Sequence, residues 1–201
     1  SHPWQSVPTF DHVTAMRSTL PTLILALTLT GAVSSVADAQ IVGRNETVYT
    51  WRGTIPSGGQ FTVRNFNGPI DVRAATGNAV EFRAEKRLRG GSVTDVGFEV
   101  RTSSNGDVSI CSTQDDDSCD GDRDRRHNDD GWRRQATVSM TVLIPRNLRL
   151  RVATGNGALN VDGAGAEVQA STGNGRVHIG ETQGAVRVST GNGEVEIRNA
   201  K

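Results

Sequence analysis

The sequence predicts an all-β fold, a β-solenoid or β-helix-like stack with two short strands per 18-residue coil. Three observations lead there. The motif TGNG begins at Thr154, Thr172 and Thr190, a fixed spacing of 18 residues. Aliphatic positions repeat at half that spacing: Leu150, Leu159, Val168, Val177, Val186 and Val195 lie nine apart, as do Val152, Val161, Ala170, Ile179, Val188 and Ile197. Within each unit the two apolar residues are two apart, the period of a strand with one buried face. Composition agrees, because 23 glycines and only 4% aromatics in 201 residues favour tight turns and small, regular core positions.

Taken in chain order, residues 1–15 precede the first methionine and read as a non-native or mis-started leader. Residues 16–39 carry the parts of a secretory signal peptide: Met16-Arg17, an apolar run from Leu20 to Thr30, and the small-x-small site Ala37-Asp38-Ala39. Cleavage is expected before Gln40. The apolar run is short for a membrane span of about 20 residues, and no cysteine follows it at the cleavage point. The mature chain is therefore expected in the periplasm or the medium, without a stable membrane anchor.

Residues 40–201 read as one domain with a charged loop at 112–135. Strand pairs begin at Phe61/Val63, Ile70/Val72 and Val80/Phe82, with Asn67-Gly68 and Thr76-Gly77-Asn78 in the turns between them. Phe98/Val100 and Val108/Ile110 follow ten apart, and the alternating run from Val138 to Ile144 reads as a longer strand stopped by Pro145. Trp51 opens the first strand region and is expected to cap the core, while Trp132 is a candidate for stacking on sugars. From Leu150 onward the nine-residue unit takes over. A unit that small cannot bury its own face, but stacked units can. Stacking places Thr154, Thr172 and Thr190 in one ladder and Asn156, Asn174 and Asn192 in another, the amides bonding along the stack. The glycines at 155, 157, 173, 175, 191 and 193 are expected to supply positive φ at the corners, which makes TGNG a structural turn rather than a ligand site.

The stretches TVYTWRGTIPSGGQFTVRNFNGPIDVRAATGNAVEFRAEKR and FEVRTSSNGDVSICS, the strand ending in IPRNLRL and the TGNG units together resemble the DUF4097-type family of adhesin-like exported bacterial proteins, over residues 46–201. The resemblance implies a β-solenoid-like fold and an adhesin-type role with no established catalytic residues.

Chemistry is sparse. Cys111 and Cys119 are an even pair in an exported chain and read as a disulfide around STQDDDS. A metal site is the competing reading, but two sulfurs without a matching histidine pair do not supply four ligands. Asp120, Asp122 and Asp124 have the spacing that begins a calcium loop, yet Arg125 stands where the sharp-turn glycine belongs and Gly131 where the bidentate glutamate belongs. A solvated loop tip is the preferred reading, with weak calcium binding by Asp115, Asp116, Asp117, Asp120 and Asp122 as the alternative. No metal and no cofactor is expected. After cleavage only His127 and His178 remain, and no nucleophile-base set can be assembled. Equal numbers of basic and acidic residues, 22 each, give no global field for nucleic acid.

The outer faces carry the remaining clue. Arg151, Gln169 and Arg187 are expected to stack on one face, and Asn160, His178 and Glu196 on the other, with Arg149 and Arg176 nearby. Extended faces of repeat proteins are binding surfaces, so a surface polymer or an envelope protein is the expected partner of a non-catalytic binding module. The rival readings are an envelope structural protein that self-associates through its C-terminal edge and a polysaccharide-active enzyme using Glu194 and Glu196.

Overall fold

A computed structural model describes residues 38–114 and 136–198. The expected leader, the signal peptide up to Ala37, and Cys119, His127, Trp132 and the Asp115–Asp124 carboxylates lie outside the described residues. The strands are β1 (Asp38–Val42), β2 (Val48–Thr54), β3 (Gln60–Asn65), β4 (Ile70–Ala74), β5 (Ala79–Leu88), β6 (Val96–Thr102), β7 (Val108–Gln114), β8 (Ala136–Ile144), β9 (Arg149–Asn156), β10 (Leu159–Asp162), β11 (Glu167–Asn174), β12 (Val177–Ile179), β13 (Val186–Asn192) and β14 (Val195–Ile197). A single 3-10 turn, Val93–Asp95, precedes β6 and is capped by Ser92, whose side chain accepts from Thr94 N. Alternation is the local cause of β5, where Val80, Phe82, Ala84 and Lys86 are buried while Glu81 and Arg83 face solvent, and of β8 and β9.

The expected solenoid is not what these strands build. They form two mixed, open seven-stranded sheets packed as a sandwich, ordered β1-β6-β7-β3-β9-β11-β13 and β14-β12-β10-β4-β8-β5-β2. Two features overturn the coil-by-coil stack. Antiparallel pairs occupy one end of each sheet, β1 with β6 and β6 with β7 in the first, β2 with β5 and β5 with β8 in the second. Strand order is also not chain order, since β3 sits between β7 and β9, and β4 between β8 and β10. The 18-residue period survives as the register of the other end, where Val168 lies between Leu150 and Val186, and Val177 between Leu159 and Val195. A period of this kind only says that residues i and i+18 are neighbours; a sandwich with parallel halves satisfies it as well as a coil does.

The core lies between the sheets. Phe61, Val63, Ile70, Phe82, Phe98, Ile110, Met140, Leu159 and Ile179 are fully buried there. Trp51 stacks on Phe61 with ring centroids 5.9 Å apart and packs against the core's edge. Tyr49 stacks on Phe98 at 5.1 Å, with Phe82 edge-on to Phe98.

Candidate functional site

The TGNG corners are built from the backbone outward. Thr154 Oγ1 donates to Gly68 O at 3.0 Å, Thr172 Oγ1 to Gly157 O at 3.1 Å and Thr190 Oγ1 to Gly175 O at 3.3 Å. These hydroxyls serve the neighbouring strand's corner, and Thr154 and Thr172 are buried. The amides face solvent instead: Asn174 Nδ2 donates to Asn156 Oδ1 at 2.8 Å and Asn192 Nδ2 to Asn174 Oδ1 at 2.9 Å.

The second glycine of each motif combines positive φ with close approach, since a Cβ on Gly157, Gly175 or Gly193 would stand 2.2, 2.1 or 2.0 Å from Gly68 O, Gly157 O or Gly175 O. Gly157, Gly175 and Gly193 have positive φ of 158°, 151° and 155°. The first glycine of each motif, expected to share that geometry, is required by close approach. A Cβ on Gly173 would stand 2.5 Å from Gly155 O, and one on Gly191 would stand 2.6 Å from Gly173 O.

One corner network left no mark in the periodicity. Asn65 lies in register with Thr154 and is buried; its Nδ2 donates to Val138 O at 2.7 Å and its Oδ1 accepts from Ser112 Oγ at 2.9 Å. It replaces the threonine where the neighbouring strand is β7 rather than another repeat. The Asn67-Gly68 turn was the available signal for this corner.

The four candidate arginines do not share one face. Arg149 and Arg151 on β9 and Arg187 on β13 are exposed on the outer side of the first sheet, whereas Arg176 precedes β12 in the second sheet and pairs with Glu194 at 3.0 Å. On the first sheet, Arg151, Gln169 and Arg187 form one row across β9, β11 and β13. Its ends are about 9.6 Å apart at the usual strand spacing. Arg151 Nε donates to Gln169 Oε1 at 2.9 Å, Arg149 Nε donates to Gly58 O at 3.0 Å, and Arg187 forms an ion pair with Glu167. Exposed Arg64, opposite Ala153 on β3, extends the patch, and Ser171 and Ser189 lie in its row. Arg149, in register with Glu167, and Arg151 and Arg187 thus lie near one glutamate among neutral hydrogen-bonding side chains.

The outer side of the second sheet is mixed in sign. Asn160 Nδ2 donates to Asp71 Oδ1 at 2.9 Å, and His178 Nδ1 meets Glu196 Oε2 at 3.1 Å. Hydrogen bonds from Arg198 and His178 hold the Glu196 carboxyl below its ordinary range. Glu194 and Glu196, the acids of the enzyme reading, are each tied to a basic partner of their own. Among the described residues no three His, Cys, Asp or Glu side chains converge as a metal site. Cys111 is buried on β7 and is not a free thiol. No helix among the described residues is long and apolar enough to cross a membrane.

The C-terminal edge shows its inward side chains. Val195 and Ile197 on β14 are 42% and 48% exposed, although Val177 and Ile179, their register partners on β12, are fully buried.

No protein-family model matches the chain, and no curated protein matches it. Among solved structures, that of a "putative cell adhesion protein" from Clostridium sporogenes ATCC 15579 aligns over 82% of this chain and 99% of its own, with 10% sequence identity and a TM-score of 0.38.

Proposed function

We propose that this chain is an exported, non-catalytic binding module of the adhesin type, akin to the DUF4097-type proteins its residues resemble, and that it holds an anionic surface polysaccharide on the outer face of β9, β11 and β13. The observation that carries this reading is charge segregation. A chain with no net charge gathers Arg149, Arg151 and Arg187 near Glu167 on one sheet face, while its second sheet pairs acids with bases. Guanidinium groups match carboxylate and sulfate geometry with paired donors. The flanking Gln169, Ser171 and Ser189 offer neutral hydrogen bonds suited to sugar hydroxyls.

The test is binding of the purified mature chain to immobilised polygalacturonate, with neutral dextran as the control. Saturable, salt-sensitive binding to the acidic polymer is expected. The double variant Arg151→Gln/Arg187→Gln should weaken it about tenfold, the loss of two exposed ion pairs. Equal retention on dextran, or an unchanged affinity in the variant, defeats the reading.

Self-association is a second reading, favoured by the exposed Val195 and Ile197 at an unpaired sheet edge. Light scattering over a wide concentration range checks it, and a strict monomer removes it.

A further inference from the structure

Charge on the outer face of β9, β11 and β13 alternates in sign from strand to strand. β9 carries Arg149 and Arg151, β11 carries Glu167 and Gln169, and β13 carries Arg187. Arg149 stands in register with Glu167, and Arg151, Gln169 and Arg187 share the next row. All three members of that row are exposed. With neighbouring strands about 4.8 Å apart, its two guanidinium positions stand two strands, or about 9.6 Å, from each other.

The contacts within the patch preserve the alternation. Arg151 spends only Nε on Gln169 Oε1, so its Nη fork is uncommitted among the described residues. The same bond occupies the Gln169 oxygen and leaves Nε2, a neutral donor, for a ligand. Arg187 reaches across to Glu167, which thus forms a negative centre on β11 between the cations of β9 and β13. A carboxylate laid over β9 or β13 meets a guanidinium, whereas one laid over β11 meets Glu167. Glu167 and Gln169 are two residues apart on one face and offer an uncharged group one acceptor and one donor.

We propose that the polymer held on this face carries one carboxylate on every second sugar and runs across the strands rather than along them. This rests on the anionic-polysaccharide reading above and adds to it a charge period and a direction. An extended pyranose chain advances by about one strand spacing per sugar, so a chain crossing β9, β11 and β13 sets successive sugars over successive strands. An acidic sugar over β9 pairs with Arg151. The next sugar, uncharged, accepts from Gln169 Nε2 and donates a hydroxyl to Glu167, and the following acid meets Arg187. A polymer charged on every sugar has to bring a carboxylate beside Glu167, a like-charge contact that opposes the gain at the two arginines. Along β9 instead, a polymer meets Arg149 and Arg151 about 7 Å apart and then the uncharged Ala153.

The experiment measures the affinity of the folded mature chain for three polymers in one buffer. Hyaluronan alternates glucuronate with an uncharged N-acetyl sugar, polygalacturonate is charged on every sugar, and dextran is neutral. Simple attraction to a basic patch favours polygalacturonate, whose charge is denser. The proposal expects the reverse order, with hyaluronan tighter by about fivefold, the size of one exposed like-charge contact. Gln169→Arg fills the middle of the row and Glu167→Gln removes the like charge, and each should bring the ratio of the two affinities toward one, with thermal unfolding as the check that the variant is folded. The order measured on the unaltered chain decides by itself where a variant does not fold. Polygalacturonate bound as tightly as hyaluronan or more tightly, or an unchanged ratio in both folded variants, overturns the charge period and leaves the anionic-polysaccharide reading standing. Failure to bind either acidic polymer removes that reading and this inference with it.

Discussion

Lys86 occupies a core position of β5, in the same inward row as Val80, Phe82 and Ala84, and it is only 3% exposed. Its Nζ donates to Gly43 O at 2.6 Å, Arg44 O at 3.2 Å and Val93 O at 3.0 Å, and to Val96 O, and it lies 5.6 Å from the centre of the Phe98 ring. The ammonium thereby ties the β1–β2 connection and the start of β6 to β5. Two effects oppose each other. Burial pushes the amine down to about 8 from 10.5, with Arg44 acting in the same direction and Glu46 against it. At about 1.36 kcal/mol per pH unit, that shift means charge burial costs about 3 kcal/mol below pH 8. The ammonium has three protons to share among the four carbonyls, and three such bonds lost at about 1.5 kcal/mol each come to about 4–5 kcal/mol. Lys86→Met keeps an unbranched apolar stem and removes both effects, so the variant should lose about 1–2 kcal/mol in urea denaturation at pH 7. The sign of the pH dependence follows from the lowered amine. Between pH 8 and 10.5 the unfolded chain binds the extra proton, so wild-type stability rises with pH across that window. By pH 10 this group should add about 2–3 kcal/mol, and the variant should lack that gain. A variant as stable as wild type at pH 7, or an unchanged gap between the two at pH 10, would refute the carbonyl clasp.

Further expectations concern the two ends of the repeat. Ile179→Ala should cost about 2–5 kcal/mol because its site is fully buried, while Ile197→Ala, half exposed one strand further out, should cost under about 1 kcal/mol. Paired denaturation curves test the gradient, and equal losses would contradict it. Gly173→Ala forces a Cβ to within 2.5 Å of Gly155 O and should destabilise by about 1–3 kcal/mol. Gly77→Ala, with nothing within 4 Å of the new carbon, should leave stability unchanged or slightly raised. A shift of similar size in both would show that close backbone approach is not what the corners require.

The register of the repeats was legible because it is written twice, in the aliphatic pairs and in TGNG. The layering was not. Deciding between a coil and a sandwich requires knowing which strand lies beside β9 and β10, and those neighbours, β3 and β4, come from about 90 residues earlier with only a loose match in spacing. The antiparallel pair β5–β8 is joined by no short hairpin, whereas β6–β7 does carry a hairpin signal, Asn105-Gly106 in the five-residue loop 103–107, which the repeat spacing masks. The glycine error had a similar origin. Composition marks both glycines of each TGNG as turn formers, but only the structure shows that Gly155, Gly173 and Gly191 are there for the carbonyl of the adjacent strand. Lys86 broke the alternation rule outright, since a lysine in an inward row reads as solvent-facing until its four carbonyls are seen. The arginine patch was half legible. Arg151 and Arg187 follow from the 18-residue register, Arg176 sits before β12 in the second sheet, and Arg64 is placed only by the β3–β9 pairing.

The placement of the aromatic residues explains why the proposed binding face and the weakest packing fall at the same end. Tyr49, Trp51, Phe61, Phe66, Phe82 and Phe98 all precede the repeats, and β8 to β14 contain no aromatic residue. Large rings supply the greatest burial per residue, so the antiparallel end carries the firmest packing and each repeat strand depends on the one beneath it. Burial then decays outward: Val168 is complete, Val186 partial, and Val195 and Ile197 lie nearly half open. The in-register pairing of β9, β11 and β13 makes their outer face regular, with side chains repeating at the strand spacing. That regularity is what a polymer of repeating charge can match, and the same economy of packing leaves β13 held by its backbone bonds, the Thr190 hydroxyl and the Asn192 amide.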